Sequence, residues 1–208
     1  MNRQPETSFY PELVVQRFVQ VARPIMLRFM RVNSCISAAR VTTLVMEQWG
    51  ISSEVVAVRL VVQCANKQFA YTSGYTDEEL RKMAPHAASI TQTYRDTVKG
   101  WTGHLVVVAA GHLIDCTLDQ AHSEEHHIWL TNGVFACELT GDNVDALRAG
   151  ELGMRLVVDN DETQTLDDIE VRYMPLVDDS WRETEAWNEQ ELVFLAAMIS
   201  RAMKGADA

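Results

Sequence analysis

Apolar side chains fall at helical spacing from Pro11 to Met30: Leu13, Val14, Phe18, Val21 and, past Pro24, Met26 and Phe29. Pro24 lacks a backbone N–H and crowds the preceding turn, so a kink is expected there. Ser34 to Trp49 is a second amphipathic helix, with Ile36, Ala39, Thr43, Leu44 and Met46 as its expected inner stripe. Asn33 or Ser34 can cap its first turn, and Gly50 supplies a left-handed stop. The period then changes. Glu54 to Cys64 (EVVAVRLVVQC) is β-branched and reads as a buried strand. Gln68 to Thr72 is its short partner, across a turn at Asn66-Lys67.

Thr76 has N-cap character, with acids behind it in a helix running towards Met83. Ala84 to Gly100 is polar and reads as a lid or surface loop. His104 to Ala109 is an apolar strand, turned back by Ala110-Gly111 into His112 to Ile114 as a tight hairpin, with Asp115 directly after it. Thr117 to His127 is a polar loop with a helical turn, and Ile128 to Leu139 holds one irregular strand. Asp142 to Ala149 is a short helix ended by Gly150. Met154 to Val158 and Ile169 to Tyr173 are late strands, and Glu183 to Met203 is a terminal amphipathic helix. There is no internal repeat and no Gly/Ser-rich linker. The expected architecture is a single α+β domain over residues 1–208, with N-terminal helices packed on an antiparallel sheet.

Composition narrows the function classes. The chain has 208 residues, 47% of them apolar and 23% charged, enough for one substantial core. Its net charge is -11 and it has no basic stripe, which argues against a nucleic-acid partner. The acids gather at Asp159 to Asp168 and Asp178 to Glu191 and read as a solvated face. No stretch is long and apolar enough to cross a bilayer, and Met1 to Thr7 lacks the order of a signal peptide, so no membrane partner and a cytoplasmic location are expected. Thiols stay reduced there. The four cysteines (Cys35, Cys64, Cys116, Cys137) show no CxxC spacing, so neither a zinc ribbon nor a thioredoxin-type site is indicated.

One of those thiols has a distinctive setting. Asn33-Ser34-Cys35 opens a helix, where the positive end of the backbone dipoles favours a thiolate. His104, heading a strand, can take the thiol proton if it packs across from Cys35. A carboxylate on the far ring nitrogen would orient that imidazole. Asp115 suits this better than Asp119, because it and His104 sit at the same end of one hairpin.

Cys35 on a helix, then Gly103-His104-Leu105-Val106-Val107-Val108, then Gly111-His112-Leu113-Ile114-Asp115-Cys116-Thr117, resembles the transglutaminase-like branch of the papain-like cysteine enzymes, whose layout arylamine N-acetyltransferases share. The resemblance covers about residues 33–120, with strands and a helix following at about 150–204. It implies a papain-like α+β core with Cys35 as nucleophile, His104 as base and Asp115 as orienter. Ile36 and Cys116 stand where the family has an aromatic residue and a proline. The glutamine that papain-like peptidases place ahead of the nucleophile is missing, since Phe29 and Met30 occupy that region. The oxyanion donors would then be the Cys35 backbone N–H and Asn33. The expected activity is that of a thiol hydrolase or acyltransferase acting on an amide or thioester, with a protein, peptide or small acyl compound as substrate and no cofactor.

Two other readings stand beside it. One is an inactive papain-like scaffold that binds a protein through its acidic C-terminal half. The other is a zinc hydrolase: His122-Ser123-Glu124-Glu125-His126 fits H-x-x-E-H, and on a helix His122 and His126 would share a face, with a third ligand from Glu183, Glu185 or Glu189. The polar surroundings of that motif favour a solvated loop. Trp101, Trp129, Trp181 and Trp187 are expected in core or rim packing.

Overall fold

The computed structural model describes residues 10–30, 34–64, 69–76, 78–79, 92–94, 101–125, 128, 130, 133–139, 152–160, 165–183 and 188–205. Helix α1 spans Pro11–Met26, with Pro11 in its first turn, where a missing N–H costs nothing. It stops just past Pro24 instead of reaching Met30. Its inner face is Val14, Val15, Phe18, Ala22, Arg23 and Met26. Leu13 and Phe29, expected inside, are 46% and 42% exposed.

Helix α2 spans Cys35–Gln48 and ends at Gly50, whose φ of +69° is the left-handed stop expected from sequence. Its buried residues are Ser37, Ala38, Ala39, Val41, Thr42, Val45 and Met46. Ile36, Thr43 and Leu44, expected in the inner stripe, are only half-buried. The buried face is built around small residues because α2 packs against both the sheet and the C-terminal helix. Thr42 turns its hydroxyl back to the Ala38 carbonyl at 2.8 Å and meets Cys116 Sγ at 3.1 Å, so its polar atom is satisfied inside the core.

The sheet is formed by β1 (Ser53–Cys64), β2 (Phe69–Ser73), β3 (Gln92–Tyr94), β4 (His104–Ala109), β5 (His112–Asp115), β6 (Phe135–Glu138), β7 (Leu152–Asn160) and β8 (Thr165–Pro175). The order is β3-β2-β1-β4-β5-β6, with β8 also on β1 and β7 on β8. β1 organises it: Ser53 to Val58 pair with β4, and Val58 to Cys64 pair with β8. An entirely antiparallel sheet is expected from the sequence, but β2 and β3 run parallel. The long connection between Ser73 and Gln92 makes that possible, since parallel neighbours need a crossover rather than a hairpin. The late strands β7 and β8 are longer than their apolar centres suggest, and pair from Leu152↔Tyr173 to Asn160↔Thr165.

The terminal helix α3 covers Glu189–Gly205. It starts later than Glu183, which lies in the short 3-10 turn Ser180–Glu183. Asn188 sets the start, its Oδ1 accepting the Gln190 N–H at 2.9 Å. The anticipated helix at 142–149 and most of the polar segment 84–100 lie outside the described residues. Thr76 and Glu79 form a reciprocal capping box, with Thr76 N to Glu79 Oε2 at 2.8 Å and Glu79 N to Thr76 Oγ1 at 3.2 Å. Among the described residues no helix is long and apolar enough to cross a membrane.

The strand alternation sorts most buried side chains into two large cores, with Val61, Ala70 and Tyr75 in a small third cluster. Leu105, Val107, Ala109 and Ile114 join the helices in one. Val58, Leu60, Val62, Val106, Leu113, Ile169, Val171 and Tyr173 form the other. Gly103, just ahead of β4, has the Trp101 indole and Leu176 laid on its backbone, and a Cβ there would run into Trp101 Cζ2 and lie 2.7 Å from Leu176 Cδ2. Gly103→Ala is therefore expected to destabilise the fold by about 1–3 kcal/mol through overpacking, measured by urea unfolding. Gly133→Ala, with open space around it, is the control.

Candidate active site

Cys35 is the first residue of α2 and is half-buried. Ser34 precedes it without a side-chain cap hydrogen bond, and no acid lies in the first turn. Among the described residues, neither a side-chain cap nor a first-turn acid offsets the positive end of the helix at the thiol.

His104 and Asp115 are brought together by their hairpin. Ala110 and Gly111 both take positive φ, 50° and 71°, the two-residue turn that matches strand twist. It sets Ala109↔His112 and Val107↔Ile114. Extending that register places Asp115 opposite Val106, so Asp115 and His104 are diagonal neighbours on one face. His104 Nε2 lies 2.7 Å from Asp115 Oδ2, and both side chains are wholly buried. Asp115 receives two more hydrogen bonds, from the Tyr173 hydroxyl to Oδ2 at 3.0 Å and from the Thr117 N–H to Oδ1 at 2.9 Å. Tyr173 arrives because Val58 pairs with both His104 and Pro175, which brings β8 to the start of β4. Its phenol is held well above its ordinary range by burial, reinforced by Asp115, and serves as a donor.

The charged state of His104 is set by opposing effects. Burial disfavours it, but the charge and hydrogen bond of Asp115, and then a hydrogen bond and charge from Cys35, raise the ring from 6.5 to about 10. With Nε2 committed to Asp115, Nδ1 is the nitrogen left to exchange a proton with the sulfur. The expected Cys35, His104 and Asp115 thus interact as one chain of contacts.

Three residues that the sequence did not single out complete the surroundings. Gln120, on the 3-10 turn Leu118–Ala121, places its side-chain amide 2.7 Å from His104 Nδ1. Tyr173 holds the carboxylate. Arg23, fully buried on α1, grips Asp119 through two hydrogen bonds, Nε to Oδ2 at 2.8 Å and an Nη2 contact to Oδ1, and so ties down the turn that carries Gln120. Burial pushes the Asp119 carboxyl up, and Arg23 partly offsets this. The Thr117 contact is local, since an Asp side chain commonly accepts from the backbone N–H two residues on.

Two other thiols, Cys116 and Cys137, have a different character. Burial pushes Cys116 up to about 12 and Cys137 up to about 11, which leaves them protonated and unreactive. Asn33, the second expected oxyanion donor, lies outside the described residues, as does His126. His122 to Glu125 form a turn rather than the helix that H-x-x-E-H needs, and His122 Nδ1 accepts the Leu130 N–H at 3.1 Å. Among the described residues no group of three His, Cys, Asp or Glu could hold a metal ion. Trp181 is buried and Trp101 half-buried, while Trp129 and Trp187 lie outside the described residues. No protein-family model, no curated protein and no solved structure matches this chain.

Proposed function

We propose that this protein is a thiol-dependent acyl-transfer enzyme built on a transglutaminase-like core, acting on an amide or thioester of a protein, peptide or small acyl compound. One observation carries the reading: a buried imidazole, fastened to a buried carboxylate through Nε2, also shares a hydrogen bond with a thiol at a helix start. A structural histidine has no need of a cysteine partner, and a structural cysteine has no need of a helix N-terminus.

In this reading the proton of Cys35 has already passed to His104 Nδ1, where the fold holds it at neutral pH. The sulfur attacks the substrate carbonyl carbon, and the π electrons move to oxygen. When the tetrahedral adduct collapses, the leaving amine or thiol departs with the proton from Nδ1, and a thioester on Cys35 remains. Water or an amine then attacks it, with His104 again accepting the proton. Asp115 holds the ring by Nε2 throughout. A reduced thiol of this kind suits a reducing compartment such as the cytoplasm.

The test is chemical labelling. Iodoacetamide at pH 7 is expected to modify Cys35 at least about tenfold faster than Cys116 or Cys137, located by peptide mass mapping, and His104→Ala is expected to remove the advantage. Labelling of Cys35 at the rate of a simple model thiol, unchanged in His104→Ala, would overturn the proposal and favour the non-catalytic scaffold.

A further inference from the structure

The side-chain amide of Gln120 meets the reacting nitrogen of His104. That nitrogen cannot serve two donors. While Nδ1 is unprotonated it accepts the Gln120 N–H. Once it holds the proton from Cys35 it becomes a donor itself and offers the amide nothing. Because the fold holds the ring charged at neutral pH, the Gln120 N–H is already released from it when the attacked carbonyl oxygen becomes negative. A half-buried amide that loses its acceptor needs another, and the forming oxyanion is the strongest within reach of that edge of the ring.

We propose that Gln120 is a catalytic residue that donates a hydrogen bond to the oxyanion formed when Cys35 attacks. This assignment rests on the acyl-transfer reading above. The amide donor missing from the segment ahead of Cys35 is supplied instead by the turn after β5. The bidentate Arg23–Asp119 contact, made by the residue next to Gln120, keeps that turn in place. A donor held by a fixed turn is preorganised, so little reorganisation accompanies its transfer to the substrate oxygen.

The experiment compares two reactions of Cys35 in the full chain. Iodoacetamide reacts by displacement at a saturated carbon and forms no oxyanion. p-Nitrophenyl acetate acylates the sulfur through a tetrahedral oxyanion, read as the p-nitrophenolate burst. In Gln120→Ala, alkylation is expected to stay within about twofold of wild type while acylation slows about a hundredfold. Gln120→Glu, which keeps the shape but loses the N–H, is expected to show the same split. Its retained alkylation certifies a folded site. Equal slowing of both reactions would make Gln120 only a support for the imidazole, and no slowing of either would remove its role; each overturns the assignment. Wild-type Cys35 that alkylates no faster than in His104→Ala would instead sink the acyl-transfer reading beneath it.

Discussion

Asp115→Ala is expected to lower the unfolding free energy by about 3–5 kcal/mol near neutral pH, the cost of leaving the partner of a buried charged pair uncompensated. Asp115 accepts from His104, Tyr173 and Thr117, and the first two have no exposed surface on which water could replace it. The more specific signature is the pH dependence. The fold raises His104 from 6.5 to about 10, so it binds the ring proton more tightly than the unfolded chain does. The ring's contribution is then fully present below about pH 6.5 and is lost as the pH rises through about 10. Between those limits the folded state holds one proton more than the unfolded chain, so stability falls by at most about 1.4 kcal/mol for each step of one in pH. Urea unfolding at pH 6, 8 and 10 should show wild-type stability falling across this window. Asp115→Asn, which removes the charge but keeps the shape, should flatten the slope. Equal slopes in the two proteins would mean that Asp115 does not hold His104 charged.

Asp115 was legible from sequence because its position depends on a local feature. A two-residue turn between β-branched runs sets the register of β4 and β5, and register alone decides that Asp115, not Asp119, reaches the ring. Cys35 was legible for a similar reason, since a helix start shows in the sequence just before an amphipathic run. Gln120, Tyr173 and Arg23 were not. Each acts across a contact between elements distant in the chain, and nothing in its neighbours marks it. Arg23 even looks like a polar interruption of an apolar stripe.

The helix faces depart from a single apolar stripe because of tertiary packing. A single stripe is expected when a helix buries one side, but α2 is packed from two directions. The small residues Ser37, Ala38 and Ala39 therefore go inside, while larger Ile36 and Leu44 remain on the margin. Tertiary crowding selected size over hydrophobicity at these positions. The start of α3 was missed differently. Acids extend the amphipathic pattern back to Glu183, whereas Asn188 caps the helix at a position that the periodicity passes over.

Arg23→Met is the second change expected to have a large effect, again about 3–5 kcal/mol, because it strands the buried Asp119 carboxylate without its guanidinium. The structure offers a way to separate that charge from mere packing. Arg23→Met combined with Asp119→Leu removes both charges and fills similar volume, and should recover most of the loss. Function should not recover in parallel if the ion pair positions the turn. The double variant would regain its urea midpoint and its Cys35 alkylation rate, yet acylation by p-nitrophenyl acetate would remain slower than wild type, since an apolar contact does not fix Gln120 as two directed hydrogen bonds do. Full recovery of acylation with stability would mean that packing alone positions the turn. In that case the buried pair between α1 and the 3-10 turn contributes to folding, and the donor to the oxyanion is held by the rest of the core.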